Sequence, residues 1–128
     1  MEMTRYFMSL PEAITLLLTA SDFRLDGDLF VMKMPSCEIG SLARVIAQKY
    51  GNDKTIIAEV GVRAGEKMHE VLLNEHETPH AYCFDENYFV VSPTKLDFKR
   101  VNFTEYSSDG QVLMNDKEIL TMLERGGF

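Results

Sequence analysis

Ser9-Leu10-Pro11-Glu12 reads as a helix start. The serine hydroxyl can accept from a free backbone N–H, Glu12 can reach back to close a capping box, and Pro11 is harmless in the first turn. The AITLLLTA run behind it predicts a mostly buried helix ending about Ser21. Phe23 to Asp28 reads as a polar turn around Gly27, and DLFVMKM, Asp28 to Met34, alternates with the period of a strand until Pro35 stops it. Apolar residues at 39, 42, 45, 46 and 50 form a helical stripe over Ile39 to Tyr50, closed by Gly51-Asn52. Lys54 to Val60 holds the β-branched run TIIAEV and is expected to be a strand. Strand, helix and strand in that order suggest a small parallel pair with a crossover.

Beyond that point the pattern is less regular. HEVLL, His69 to Leu73, fits either a strand or a short helix. His80 to Val91 predicts a hairpin: AYCF, a DEN turn, then YFVV. Ser92 to Ser108 lacks periodicity and is expected to be a surface loop, with DFKR, Asp97 to Arg100, as a solvated patch. Asn115 with Glu118 forms a second capping box, predicting a last helix that runs to Glu124 before Gly126-Gly127 ends it. Neither an internal repeat nor a low-complexity linker is present. The expected class is α/β, a small α+β domain spanning residues 1–128 as one unit.

Composition narrows the function. Of 128 residues, 45% are hydrophobic and 26% charged, enough for a modest core. The net charge of −7 repels a phosphate backbone, so nucleic-acid binding is disfavoured, while a local basic pocket for one phosphorylated small molecule remains compatible. Two cysteines, Cys37 and Cys83, form no disulfide framework, and no signal-peptide pattern is visible, so a cytoplasmic setting is expected. The longest apolar run, Ala13 to Ala20, is too short to cross a bilayer, and no membrane association is expected.

The densest chemistry lies in GVRAGEKMHEVLL, Gly61 to Leu73. Gly61 and Gly65 bracket Arg63 immediately after an expected strand, where α/β proteins commonly present ligand contacts. A guanidinium pairs bidentately with phosphate oxygens, and a nearby carboxylate such as Glu66 can hold a ribose diol. The plainer alternative is a surface pair between Arg63 and Glu66. His69, His76, His80 and Cys83 have metal-ligand types, but the latter histidines flank Pro79, and no second Cys or His pair stands at zinc spacing. No metal is expected. Cys37 near a helix start could be acidified, but no histidine lies near it in sequence, so a packed thiol is the default. Thr4-Arg5-Tyr6 by itself reads as a frayed terminus. No G-x-G-x-x-G, P-loop or G-x-S-x-G motif occurs.

MTRYFMSLPEAITLLLTA, GDLFVMKMPSCEIGSLARVIA, VGVRAGEKMHEVLL and EYSSD, in this order, resemble the C-terminal part of bacterial nucleotide-sugar 4,6-dehydratases and epimerases. These are extended short-chain dehydrogenases/reductases of capsule and surface-polysaccharide synthesis, and the UDP-N-acetylglucosamine 4,6-dehydratase group is especially similar. The resemblance covers Glu2 to about Leu123. It implies a substrate-binding domain whose Rossmann partner, carrying NADP, the Tyr-x-x-x-Lys pair and the catalytic carboxylate and lysine, lies outside this chain. No cofactor is expected within it, and no catalysis by it alone.

Carried over by residue, Arg63 looks like the arginine that meets the substrate diphosphate and Glu66 like its neighbour at the nucleoside. Thr4 and Arg5 match the motif along the substrate pocket. Lys67, His69 and Glu70 match the motif and are expected to do no more than hold the loop, and Ser107 and Ser108 match a signature of unassigned role. Ala64 stands where the family has proline, which loosens the turn. The expected ligand is a UDP-sugar. The alternative is a protein-interaction or dimerisation module, self-associating or complementing a Rossmann half in trans through the apolar face such a partner would cover. A metal-dependent hydrolase using His69, His76 and His80 would rest on residue types alone.

Overall fold

The computed structural model describes residues 2–23 and 27–128, so the middle of the turn expected over Phe23 to Asp28 lies outside the described residues. Seven strands and three helices follow one another as β1 (Thr4–Tyr6), α1 (Leu10–Asp22), β2 (Leu29–Met32), β3 (Ser36–Glu38), α2 (Ile39–Tyr50), β4 (Val71–Leu73), β5 (Ala81–Cys83), β6 (Tyr88–Val91), β7 (Tyr106–Ser107) and α3 (Asp116–Arg125). A single 3-10 turn occupies Thr78–His80. The class is mixed α/β as expected, and the chain divides into two compact units.

The first unit comprises residues 2–7, Pro35–Glu70 and Ser108–Phe128. β1 and β3 pair antiparallel with Arg5 opposite Cys37, and the ladder is extended by Ile39 N–H to Met3 O at 2.8 Å and Phe7 N–H to Pro35 O at 3.0 Å. Thr4-Arg5-Tyr6 is therefore a strand and not a frayed end, because its partner lies thirty residues on where no local pattern reports it. α2 and α3 pack over a core of Cys37, Val45 and Ile119, flanked by Phe7, Leu42, Met114, Leu120, Met122 and Leu123. α3 starts at the Asn115 capping box, where the side chain accepts from Glu118 N–H at 3.0 Å and Asn115 N–H donates to Glu118 at 2.8 Å. Arg44 of α2 donates twice to the Asp116 carboxylate, at 3.2 and 2.8 Å, tying the two helices together at the surface and holding that carboxyl below its usual range.

Cys37 is fully buried, and burial, with Glu38 beside it, pushes its thiol up to about 11. The packed reading of this cysteine is the one the structure gives. In the native protein at pH 8, a thiol reagent is expected to modify half-buried Cys83 first and to reach Cys37 only at the rate of unfolding. Equal labelling rates for the two thiols under native conditions would contradict that.

The expected strand at Lys54 to Val60 does not form. Thr55 closes a turn after α2, with its N–H donating to Asn52 O and its hydroxyl accepting from Asn52 N–H, both at 2.8 Å. Ile56 and Val60 beyond it are 86% and 78% exposed. β-Branched residues favour a pleated surface only when a neighbouring strand supplies the ladder, and among the described residues none does. The parallel pair falls with it: every strand pairing described is antiparallel.

The second unit comprises Met8–Met34 and Val71–Ser107. Its sheet has the order β2-β6-β5, with Phe30 opposite Val90 and Tyr82 opposite Val90 on the other side. The β5–β6 hairpin turns where expected, because the Asp85 carboxylate accepts from Asn87 N–H at 2.7 Å and Tyr88 N–H at 2.9 Å. Of the HEVLL stretch, Val71–Leu73 forms β4, paired antiparallel with β7 through a bulge between Val71 and Leu73. Thus the stretch from Ser92 to Ser108 is not a plain surface loop: it carries β7, a bridge from Arg100 to Tyr82, and buried Tyr106, Ser107 and Ser108. Aromatic contacts fill the unit, Phe89 meeting Tyr106 and Phe103 edge-on at 5.0 and 5.5 Å between centroids, and Phe23 meeting Phe30 and Phe84 at 5.2 Å each.

α1 begins as predicted, with Ser9 Oγ accepting from Glu12 N–H and Ser9 N–H donating to Glu12, both at 3.3 Å. Its burial does not follow the prediction. Every residue of α1 is exposed or half-buried, and Leu10, Leu17 and Leu18 are 74%, 70% and 63% exposed. An apolar pattern establishes that a helix has a face to cover; it does not say that the cover belongs to the same chain.

Candidate functional site

The loop from Gly61 to Glu70 lies in the first unit. Gly61 and Gly65 sit at φ +79° and +88°, left-handed conformations that a side chain would strain, and these two glycines turn the chain on either side of Arg63. Between them the turn is closed twice: Glu66 N–H donates to Arg63 O at 3.1 Å, and Arg63 N–H donates to the Glu66 carboxylate at 3.0 Å. Arg63 and Glu66 are thus brought together through the Arg63 backbone, and the surface ion pair weighed as the plain alternative is not what joins them. The Arg63 side chain is exposed, and among the described residues its guanidinium makes no hydrogen bond or ion pair.

From Lys67 onward the loop is fastened to β1. Thr4 N–H donates to Met68 O at 2.9 Å. Arg5 donates to Lys67 O at 2.7 Å, to Thr4 O at 2.7 Å and to Met68 O at 3.3 Å, and its Nε lies 3.6 Å from the Glu70 carboxylate. Underneath, Ser108 acts as a hub. Its N–H donates to Glu70 O at 2.8 Å, its hydroxyl accepts from Glu70 N–H at 2.9 Å, and its carbonyl accepts from the Ser36 hydroxyl at 2.8 Å. The hydroxyls of Ser108 and Thr4 share a hydrogen bond of 2.6 Å, and Thr4 Oγ1 lies 2.7 Å from His69 Nδ1. On its other side, His69 Nε2 is 3.8 Å from Asp109.

Of the four residues predicted for the site, Thr4 and Arg5 therefore lie with the loop's second half, and Arg63 and Glu66 form its exposed turn. Thr4 is buried at 2% exposure, and the Arg5 donors point at backbone carbonyls. Sequence reading placed Ser107 and Ser108 in a signature without a role; for Ser108 the structure supplies one. Spacing could not reveal it, because Ser108 meets Thr4 across 104 residues.

Two further sequence features resolve here. No group of three or more His, Cys, Asp or Glu side chains stands in metal-binding geometry among the described residues, and His76 lies against neighbouring Glu75 at 3.6 Å. One Tyr-x-x-x-Lys spacing does occur in this chain, Tyr50 to Lys54, correcting the expectation that this motif lies wholly elsewhere. However, α2 ends at Tyr50 with Gly51 as its cap, so the two side chains do not share a helical face. Lys49 instead lies over the Tyr50 ring, 5.3 Å from its centroid.

In its fold, the chain resembles a solved structure titled as Pen from Bacillus thuringiensis, with TM-score 0.84 and 28% identity over 97% of this chain and 38% of that one. That places it among small mixed α/β domains of the kind found at the C-terminal part of extended short-chain dehydrogenases/reductases. A family model described as polysaccharide biosynthesis protein matches residues 1–92, and the chain belongs to that family.

A UDP-N-acetylglucosamine 4,6-dehydratase (inverting) from Campylobacter jejuni is 33% identical over 94% of this chain and 40% of its own length. A UDP-glucose 4-epimerase from Rickettsia canadensis is 31% identical over 85% and 30%. An uncharacterized membrane protein from Methanocaldococcus jannaschii is 35% identical over 96% and 38%. The chain thus spans 30% to 40% of the length of these relatives. Among the described residues, no helix is long and apolar enough to cross a membrane.

Proposed function

We propose that this chain supplies the substrate-binding part of a nucleotide-sugar 4,6-dehydratase or epimerase serving capsule or surface-polysaccharide synthesis in the cytoplasm, with a UDP-sugar such as UDP-N-acetylglucosamine as ligand. One observation carries the reading: an arginine with an uncommitted guanidinium, presented on a backbone-closed turn between two left-handed glycines. Such a group offers paired N–H donors to a diphosphate with little ordering to be done. Glu66, held by the Arg63 N–H, stands beside it for the ribose hydroxyls. Thr4 and Arg5 belong to the same site from beneath, fixing Lys67 and Met68. Hydride chemistry on the sugar requires NADP, which this reading assigns to the Rossmann part of the relatives.

Calorimetric titration tests this. UDP and UDP-N-acetylglucosamine are expected to bind, and Arg63→Ala is expected to weaken both by roughly tenfold or more, the loss of one charge-assisted bidentate contact. Unchanged affinity in the variant would remove Arg63 from the site.

The exposed leucines of α1 favour a second reading, a module that covers this stripe with a separately encoded Rossmann half. Its test is the solution mass with and without such a partner, beside Leu17→Glu. Loss of complex formation in the variant supports it, and a complex that tolerates the charge refutes it.

A further inference from the structure

The second half of the loop ends in a chain of largely buried polar groups. Thr4 and Ser108 are 2% and 0% exposed, so water cannot stand in for either hydroxyl. Each hydroxyl has a single hydrogen to give, which makes the pattern nearly determinate. Ser108 Oγ already accepts from Glu70 N–H. If the Thr4 hydroxyl donates to His69 Nδ1, the Ser108 hydroxyl donates to Thr4 Oγ1, and His69 carries its hydrogen on Nε2, facing Asp109. Both buried hydroxyls and Nδ1 then have partners, and Nε2–H points toward the Asp109 carboxylate at 3.8 Å. In the opposite order, Nδ1–H donates to Thr4, Thr4 to Ser108, and Ser108 is left with Thr4 O at 3.4 Å, while a bare Nε2 lone pair faces the Asp109 carboxylate. The first order is the better one on both counts.

We propose that His69 is a positioning residue for the Arg63 turn: the relay Ser108–Thr4–His69, with Asp109 behind it, fixes the end of the loop on which Arg63 and Glu66 are displayed. This rests on the reading of Arg63 as the diphosphate contact. The charged groups around the imidazole are Asp109 beyond Nε2, adjacent Glu70, and Arg5, whose Nε approaches Glu70. Arg5 holds the carbonyls of Lys67 and Met68, and His69 holds the next residue, so the two fasten consecutive positions. Within the turn itself, Glu66 N–H to Arg63 O and Arg63 N–H to the Glu66 carboxylate close the backbone beneath the guanidinium. Releasing His69 frees the turn from its base, and a loosened arginine must be ordered again at each binding event.

The test uses the whole chain with His69→Leu, which keeps bulk and removes the acceptor, and His69→Asn, whose side-chain oxygen can accept from Thr4 near the position of Nδ1. UDP affinity is expected to fall about tenfold in His69→Leu and to recover in His69→Asn. Placed on Arg63→Ala, His69→Leu is expected to cost nothing further, because His69 acts through Arg63. Amide hydrogen exchange without ligand is the second readout: Arg63 and Glu66 are expected to exchange about tenfold faster in His69→Leu, with α2 and α3 of the same unit unchanged as the control for its unfolding. If UDP fails to bind the wild-type chain, the function reading falls, and exchange alone still decides the positioning role. Unaltered exchange at Arg63 and Glu66, or equal losses of affinity in the Leu and Asn variants, would overturn it.

Discussion

Replacing Ile119 by alanine is expected to lower the unfolding free energy by about 2–5 kcal/mol, the range for large-to-small changes at fully buried aliphatic sites. Ile119 has 0% exposure and stands between Cys37 and Val45, where α3 meets α2 and β3. The neighbours that would have to close the space are held in place, Leu120 and Leu123 on α3 behind its capping box, Leu42 on α2, and Met114 by its N–H to Ser36 O at 2.8 Å, so collapse into the cavity is restricted. For a domain whose whole stability is on the order of 5–15 kcal/mol, this is a large fraction. Urea unfolding followed by circular dichroism measures it, and a loss below about 1 kcal/mol would mean that the core of the first unit is looser than this packing implies.

Phe89→Ala should act on the second unit with similar force, about 3–5 kcal/mol. Phe89 lies on β6, the middle strand of its sheet, at 4% exposure. Its ring meets Phe103 and Tyr106 edge-on, and Lys33 Nζ lies 4.7 Å from its centroid. Alanine removes both edge contacts, the cation's platform and the ring's buried area at once. Phe98→Ala is the fitting comparison: its ring also packs on aromatic neighbours, yet it is 36% exposed. It should cost markedly less, and equal losses for the two would contradict the placement of Phe89 at the centre of the unit.

The features legible in the sequence were those whose cause is local. Both capping boxes, the Ile39 to Tyr50 stripe and the Asp85 turn depend on residues a few positions apart, and all formed where the spacing put them. The short strands β1, β3 and β7 were beyond reach, and β4 could not be told from a short helix, since two or three residues carry no period and their partners lie far along the chain. TIIAEV and AITLLLTA failed for the opposite reason. Their patterns are strong, but they state a need for a neighbour, and the described residues do not contain one for Ile56, Val60 or Leu17.

The site divides in the same way. That the chain turns at Gly61 and Gly65 around Arg63 could be read from adjacent residues, and both glycines have positive φ angles. What holds it could not be read. His69 meets Thr4 across 65 residues and Ser108 meets Thr4 across 104, so only the fold reveals that these side chains form one network.

Mapping UDP onto the isotopically labelled protein by NMR decides whether the Arg63 turn is where the nucleotide binds. Amide shifts are expected to concentrate at residues 62–66, with smaller changes at Lys67 to Glu70, and to vanish in Arg63→Ala. Shifts centred instead on the shallow groove lined by Pro11, Glu12, Thr15, Met32, Asn87 and Tyr88, about 280 Å³ in volume, would place the nucleotide in the second unit and contradict binding at Arg63.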